Sequence, residues 1–195
     1  MSKPRIIAGQ AKGRALETPK QGTRPSPSRL REALFNMLAF SQGRFVDLYS
    51  GSGAVGLEAA SRGWQVSCVD LSRPAVAVIR RNAQRLGLDA EVICDDALRY
   101  ITRQAEVFDV VFAAPPYPLE LTDIFQAILV SDAIVPCGRY IFQHPSTLHL
   151  QLQHPRHKLE QDTRRYGSNA LTFVRLADTV SADTAAESDT ATNSN

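Results

Sequence analysis

Short apolar runs alternate with amphipathic stretches from residue 44 onward, and this alternation limits the possible folds more than any other feature of the chain. We predict strands at 44–49, 65–70, 90–94, 108–113 and 138–143, and helices within 51–63 and over 72–86, 96–104 and 119–130. Strands and helices that alternate at this spacing are typical of βαβ units in a parallel sheet. Because the strands are continuously apolar, we expect helices to cover both faces of the sheet. The pattern therefore predicts an α/β, Rossmann-like fold.

The two ends of the chain differ from this pattern. Residues 157–166 and 169–176 read as two strands joined by Gly167-Ser168, which predicts an antiparallel hairpin at one edge of the sheet. At the front, glycines at positions 9 and 13 predict a small hairpin or extended arm, and 28–40 predict a helix with an apolar stripe. We therefore divide the chain into an N-terminal arm and helix (1–40), a main domain (41–177) and an acidic tail (178–195) that we expect to be disordered.

The net charge of +2 conceals a strong asymmetry along the chain. Residues 1–44 contain nine Lys or Arg and two acids, whereas the tail contains four acids and no base. A basic surface of this kind favours a polyanionic partner, most often nucleic acid. The alternative is a solvated basic segment without a partner. Arg24, Arg29 and Arg31 lie at the predicted helix entrance, where they would be available to a phosphate backbone.

Several classes of protein are disfavoured by composition. The sequence contains no apolar run of membrane-spanning length and no secretory h-region among its first residues. Its three cysteines, Cys68, Cys94 and Cys137, are far apart and lack zinc-ligand spacing. We therefore expect reduced, buried cysteines, no structural metal, no membrane association and a cytoplasmic location.

A glycine loop and three acidic strand ends predict a ligand site. Gly51-x-Gly53-x-x-Gly56 follows the first strand and opens a helix, as in dinucleotide sites. Asp47 at the first strand end could receive a ligand ammonium, which favours S-adenosylmethionine over a nicotinamide dinucleotide. Asp70 suits ribose hydroxyls with either ligand, and Asp95-Asp96 could read an adenine edge. Each carboxylate could instead be a surface charge or helix cap, Asp96 in particular.

The fourth strand ends in a rigid turn, Ala114-Pro115-Pro116-Tyr117. Consecutive prolines fix the chain direction and leave the preceding carbonyls without a neighbouring N–H partner. Such carbonyls could accept hydrogen bonds from an exocyclic amine, and the Tyr117 ring could stack on a base removed from its helix. The alternative is an ordinary Pro-rich turn with Tyr117 packed against the protein.

Four segments together resemble one family, the bacterial small-subunit ribosomal RNA guanine-N2 methyltransferases. They are RIIAGQAKGRAL, TRPSPSRLREALFNML, FVDLYSGSGAVGLEAASRG and the DVVFxxPPY stretch, and the likeness covers about residues 4–177. The resemblance implies a class I methyltransferase sheet of seven mostly parallel strands, a small N-terminal RNA-binding extension, S-adenosylmethionine as cofactor, and a guanine amino group of 16S ribosomal RNA, within a small-subunit particle, as acceptor. We expect the enzyme to act as a monomer.

The resemblance also implies roles for individual residues. The cofactor would contact Asp47, Tyr49, Gly51, Ser52, Gly53, Asp70, Leu71, Asp96 and Ala97. The catalytic turn would be Ala114, Pro115, Pro116 and Tyr117. The RNA would contact Arg5, Lys12, Arg14, Arg24, Arg29 and Arg31.

The chain departs from the family at the catalytic turn, where Ala114 replaces an Asp or Asn. Alanine keeps a backbone acceptor for the amine but removes the side-chain acceptor, which by analogy would cost roughly 10²–10³ in rate. Family members tend to have an acid after the fifth strand, where this chain has Gln143; Glu120 and Asp123 are the nearest acids after the turn, on the following helix. The sequence leaves open an active enzyme, a non-catalytic RNA-binding relative or an inactivated variant of a working enzyme, a methyltransferase for another amine such as a DNA base, and a nicotinamide dehydrogenase.

Overall fold

The computed structural model describes residues 3–19, 26–38, 42–116 and 120–177. Twelve elements lie within these ranges. They are α1 (Ser28–Asn36), β1 (Arg44–Leu48), α2 (Gly56–Ser61), β2 (Gln65–Asp70), α3 (Arg73–Leu86), β3 (Glu91–Cys94), α4 (Ala97–Ile101), β4 (Phe108–Ala113), α5 (Leu121–Leu129), β5 (Ile134–Pro145), β6 (Lys158–Tyr166) and β7 (Asn169–Ala177).

The seven strands form one sheet in the order β3-β2-β1-β4-β5-β7-β6. Strands β1 to β5 are parallel, whereas β7 runs antiparallel to both of its neighbours, β5 and β6. The chain moves outward from β1 to β3 and then crosses over to β4, so a topological switch point lies between β1 and β4. The predicted mostly parallel sheet with an antiparallel C-terminal hairpin is confirmed.

Two hydrophobic clusters cover the sheet, one on each face. The cluster on one face, called here the α1 face, includes side chains of α1, α2 and α3 packed on Phe45, Phe112 and Ile141. The opposite cluster, on the α5 face, includes side chains of α4 and α5 packed on Val46 and Phe142. Neighbouring residues of one strand therefore enter different clusters, as the strand period of two requires. The predicted two-sided burial is confirmed.

The N-terminal arm forms the predicted small hairpin. Arg5 and Ala15 form an antiparallel bridge, and Ile6 N–H donates to the Arg14 carbonyl at 3.0 Å. Ile6 and Leu16 are buried in the cluster on the α1 face. The arm is thus part of the hydrophobic core of the main domain rather than an independent appendage.

A polar clamp on α2 holds this arm. The Glu58 carboxylate accepts hydrogen bonds from the Ile7 N–H at 2.7 Å and the Ala8 N–H at 3.0 Å. Arg62 Nε donates to Glu58 at 2.9 Å, and an Arg31 guanidinium nitrogen lies 3.8 Å from it. Gly9 sits so close to α2 that an added Cβ would lie 1.7 Å from the Ser61 carbonyl oxygen. The Glu58, Ser61 and Arg62 positions of the GLEAASRG motif therefore serve arm docking.

Helix α3 holds the arm at a second point. The Asn82 side chain accepts from the Glu17 N–H and donates to the Glu17 carbonyl, both at 2.9 Å. Arg14 donates to the Arg85 carbonyl at 3.3 Å. Side-chain amides that pair with both backbone groups of one residue imitate a strand partner, so the arm keeps its hydrogen bonds after leaving the hairpin.

Some predicted boundaries and burials differ from the structure. Helix α2 begins at Gly56 because the glycine loop uses the preceding residues, and β5 begins at Ile134 instead of 138. The early part of β5 pairs irregularly with β4, and Cys137 there has φ of +67°. The prediction of buried cysteines is correct for Cys68 and wrong for Cys94 and Cys137, which are exposed.

Some predictions concern residues outside the described ranges. In the described part of the chain no helix is long and apolar enough to cross a membrane, and no three His, Cys, Asp or Glu side chains are grouped as a metal site. The predicted disordered tail (178–195), Arg24 and Tyr117 lie outside the described residues. Their predicted properties remain predictions.

Candidate active site

The predicted cofactor residues lie along one edge of the sheet. Parallel strands bring their carboxyl ends together, and a switch point opens a crevice there. The loop at 49–55 follows β1, and Asp70 ends β2 with Leu71 directly after it. Asp96 follows β3, and the turn at 114–116 follows β4. The structure thus brings the predicted cofactor segments and the turn at 114–116 to the same edge of the sheet.

The glycine loop is held by the carboxylate that ends β2. Asp70 accepts hydrogen bonds from the Gly51 N–H at 2.7 Å and from the Ser72 N–H at 2.8 Å. Gly51 and Gly53 have φ of +55° and +75°, a region that glycine adopts without steric cost. Each carboxylate oxygen has two lone-pair sites, so Asp70 retains acceptor capacity after holding the loop.

The third glycine is required by the approach of α2 to the sheet. A Cβ on Gly56 would lie 2.4 Å from Cys68 Sγ and 3.1 Å from an Asp47 carboxylate oxygen. No side chain fits at this distance. The helix therefore starts directly against β1 and β2, and its first N–H group donates to the buried Asp47 carboxylate.

Asp47 is placed differently from the prediction. Its side chain was expected at the edge, facing a ligand ammonium, but the residue is only 2% exposed and accepts from the Gly56 N–H at 2.8 Å. Burial raises the pKa of Asp47 to about 7; the Gly56 hydrogen bond opposes this shift and the charge of Asp70 adds to it. The structure thus places a carboxyl group beneath the loop, and a cation at the crevice would favour its ionised form.

The charge of Asp96 acts on Tyr49, the first residue after β1. Tyr49 is half-buried and has φ of +62°, an unusual conformation for a residue with a Cβ. Burial, and to a smaller extent the charge of Asp96, raises the pKa of Tyr49 to about 12. Asp96 caps α4 by accepting from the Arg99 N–H at 2.9 Å, so the capping alternative considered for this residue is correct. An N-cap carboxylate can still accept a second hydrogen bond.

The remaining cofactor predictions divide into a buried and an exposed group. Ser52 and Ala97 are almost fully buried, so their side chains are not available to a ligand. Leu71, in contrast, is 70% exposed and lies next to Asp70. A large exposed apolar side chain beside a carboxylate suits a ligand with a flat ring next to a ribose.

Residues 114–116, the described part of the predicted catalytic turn, continue β4 beyond the sheet. Ala114 N–H donates to the Leu48 carbonyl at 3.4 Å, and the Ala114 side chain packs against the cluster on the α1 face. Pro115 is buried and Pro116 is exposed. Glu120 and Asp123 are exposed at the start of α5.

A contact that the sequence did not reveal lies beside this turn. Ser26 Oγ donates to Gln143 Oε1 at 2.8 Å, across 117 residues of sequence. The segment before α1 therefore reaches the end of β5. No local pattern signals such a contact, because it depends on how α1 packs across the sheet.

The predicted RNA-binding cations fall into three groups. Arg31 is fully buried and donates to the Ala54 and Arg5 carbonyls at 3.1 and 3.0 Å, so its assignment to RNA binding is wrong. Arg5 and Arg29 are exposed, and Arg29 lies three residues after Ser26. Lys12 and Arg14 are also exposed, but their turn contacts the C-terminal end of α3.

Lys12 and Arg14 lie far from the turn at 114–116. Helix α3 starts at the carboxyl edge of the sheet and has 14 residues, a length of about 21 Å. Its C-terminal end, with the Lys12 turn, is at the opposite edge. A nucleic acid that contacts both Arg29 and Lys12 would therefore extend along the whole domain.

The sheet order, with a single antiparallel strand between β5 and β6 and a glycine loop after β1, defines the class I methyltransferase fold. Within that class, residues 4–175 match the family described as Conserved hypothetical protein 95, and the chain belongs to this family.

Named relatives come from several bacteria. The chain is 35% identical over 118 residues to Ribosomal RNA small subunit methyltransferase D of Escherichia coli K12, which covers 58% of this chain and 60% of the relative. It is 35% identical over 128 residues to the protein of the same name from Haemophilus influenzae, covering 61% and 66%. These alignments span less than two thirds of the relatives' own length. A solved structure of a hypothetical protein from Thermus thermophilus superposes with a TM-score of 0.78 at 42% identity, covering 88% of this chain and 99% of that one.

Proposed function

We propose that this protein transfers a methyl group from S-adenosylmethionine to the exocyclic N2 of a guanine in small-subunit (16S) ribosomal RNA. The observation that carries the proposal is the juxtaposition of the Asp70-held glycine loop with the Pro-Pro turn at one sheet edge. The names of the relatives support the ribosomal RNA of the small subunit as the acceptor. The N2 position is our own inference from the turn and from the family resemblance.

The residues of the crevice fit the cofactor. When bound, the cofactor supplies an electrophilic methyl group on a sulfonium. Asp70 can accept from ribose hydroxyls, Leu71 offers an apolar surface for the adenine, and Asp47 places a titratable carboxyl under the loop that would hold the cationic methionine end. A nicotinamide dinucleotide fits less well, because its pyrophosphate would lie against the Asp47 carboxylate.

The turn residues act on the acceptor amine. A backbone carbonyl of the turn accepts one N–H of the amine and directs the nitrogen lone pair toward the methyl group. With the cofactor bound, the nitrogen would form the new N–C bond, the electron pair of the broken S–C bond would stay on sulfur, and one N–H proton would pass to water. The nitrogen becomes more positive in the transition state, so hydrogen-bond acceptors around it lower the barrier.

Ala114 favours a second candidate function, an RNA-binding relative with a weakened or absent catalytic step. Its methyl side chain cannot accept a hydrogen bond, which removes the side-chain acceptor that the resemblance implies for this position. Binding of cofactor and RNA does not depend on that acceptor, so such a protein would keep both.

Methyl transfer from labelled S-adenosylmethionine to small-subunit particles that lack the modification tests both candidates. The natural chain is compared with Ala114→Asp. Transfer to a guanine N2, located by mass spectrometry of digested RNA, supports the proposal. Transfer by Ala114→Asp alone would make the natural chain a binding protein, and transfer by neither variant would refute the proposed function.

A further inference from the structure

We propose that Gln143, held by Ser26, supplies the side-chain hydrogen-bond acceptor that Ala114 lacks. This inference rests on the proposed function. It assigns to Gln143 a direct contact with the target amine and to Ser26 a positioning role.

Strand register places Gln143 beside the catalytic turn. In the parallel pair of β4 and β5, Phe112 lies opposite Ile141 and Ala113 lies opposite Phe142. The next pair along these strands is Ala114 and Gln143. Neighbouring strands are about 4.8 Å apart, so a glutamine side chain on β5 reaches the space next to the alanine methyl.

Both side chains point to the same face of the sheet. Ala114 packs against the cluster on the α1 face. Gln143 lies opposite Leu171 of β7, which belongs to that same cluster, and opposite residues of paired strands share a face. Phe142, the residue before it, enters the cluster on the α5 face. The glutamine amide is therefore directed to the side on which Ala114 has lost an acceptor.

The hydrogen bond from Ser26 fixes the orientation of this amide. Ser26 Oγ donates to Gln143 Oε1 at 2.8 Å, and both side chains are partly buried. A carbonyl oxygen has two lone pairs, so Oε1 can accept from the target amine while it accepts from Ser26. A glutamine held by one fixed partner loses less side-chain entropy when it binds the amine than a free one does.

A double-mutant cycle tests this assignment. In the natural Ala114 background, Gln143→Ala should lower kcat roughly 10²-fold, the usual effect of removing one preorganised hydrogen-bonding partner. In the Ala114→Asp background the same change should lower kcat only a few-fold, because the aspartate supplies the acceptor. Gln143→Glu should preserve or raise the rate, and Ser26→Ala should lower kcat less than Gln143→Ala does.

Two controls separate chemistry from structure. Gln161→Ala, at an exposed position of β6, should leave kcat unchanged. The melting temperature and the Kd for S-adenosylhomocysteine should stay the same in all Gln143 variants. A merely structural role would instead change these two values.

The outcomes distinguish this inference from the proposed function. Equal losses from Gln143→Ala in both backgrounds, or no loss in either, would overturn the role of Gln143 and leave the methyltransferase assignment intact. Activity in Ala114→Asp with none in the natural chain would also overturn it, because Gln143 would then fail to replace the acceptor. Absence of activity in every variant would refute the proposed function itself.

Discussion

The glycine loop and the arm clamp each contain a buried carboxyl group that accepts backbone N–H groups, but their surroundings differ. Glu58 in the clamp is next to two guanidinium groups, Arg62 at 2.9 Å and Arg31 at 3.8 Å. Asp47 under the loop contacts no Lys or Arg among the described residues, and the nearby charge that acts on it is the negative Asp70. A buried carboxylate with internal cations is structural, whereas one without them favours a cation supplied from outside.

The largest expected effect comes from the clamp. Glu58→Gln should destabilise the protein by roughly 3–5 kcal/mol, because the buried Arg31 guanidinium loses its counter-charge. Urea unfolding measures this change. Glu32→Gln, at an exposed position of α1, is the matched control and should leave stability nearly unchanged. Similar stability of the two variants would mean that Glu58 is not the anchor of the arm.

Neutralising the carboxyl group under the loop, Asp47, should stabilise the protein instead of destabilising it. The pKa of Asp47 is raised from 3.8 to about 7 in the folded protein, so the folded state holds a proton that the unfolded state releases. The contribution of this protonated carboxyl to the free energy of unfolding is fully present below pH 3.8. It is lost as the pH rises through about 7, the pKa in the folded state. Asp47→Asn does not ionise and should be about 2–4 kcal/mol more stable than the natural chain at pH 8.

Cofactor binding provides the second measurement on Asp47→Asn. Calorimetry should show affinity for S-adenosylhomocysteine weakened by about tenfold, roughly 1.4 kcal/mol, because the charge that favours the ligand ammonium is gone. If Asp47→Asn is less stable than the natural chain at pH 8, or binds the ligand equally well, then Asp47 is a structural carboxylate like Glu58 and not one that favours a ligand cation.

Alanine substitutions at two glycines of the arm distinguish the stability cost of steric crowding from the cost of backbone strain. Gly9 and Gly13 have φ of +80° and +79°, so alanine is equally strained at both positions. An added Cβ meets the Ser61 carbonyl at Gly9 but has nothing within 4 Å at Gly13. Gly13→Ala should cost about 1 kcal/mol and Gly9→Ala about 2–3 kcal/mol. Equal melting temperatures for the two variants would show that the arm is not pressed against α2.

The smallest effect is expected at the surface. Arg29→Ala should leave stability unchanged and lower the salt dependence of RNA binding by about one unit of slope, because one phosphate contact is lost. Arg31→Ala should unfold or strongly destabilise the protein, since Arg31 donates three hydrogen bonds within the core and arm. An unchanged salt slope for Arg29→Ala would remove the helix entrance from the RNA site.

Part of the misassignment of Arg31 could have been avoided from the sequence. Arg31 and Phe35 follow helical spacing, and both are buried, so the arginine lies on the buried face of α1. A stripe position predicts burial even for a charged residue when a partner acid exists. The partner, Glu58, is 27 residues away in sequence on another helix, and no local pattern identifies it.

The sequence alone determines the features that depend on residues close together in the chain. Strand and helix periodicity, the helix over 72–86 and the glycine loop were all predictable, because each depends on residues within a few positions of one another. Only the tertiary structure decided the burial of Asp47, the burial of Arg31, the separation of Lys12 from the catalytic turn and the Ser26–Gln143 contact. These features depend on how distant segments meet across the sheet, and the free energy of those contacts is set by burial and charge pairing rather than by sequence spacing.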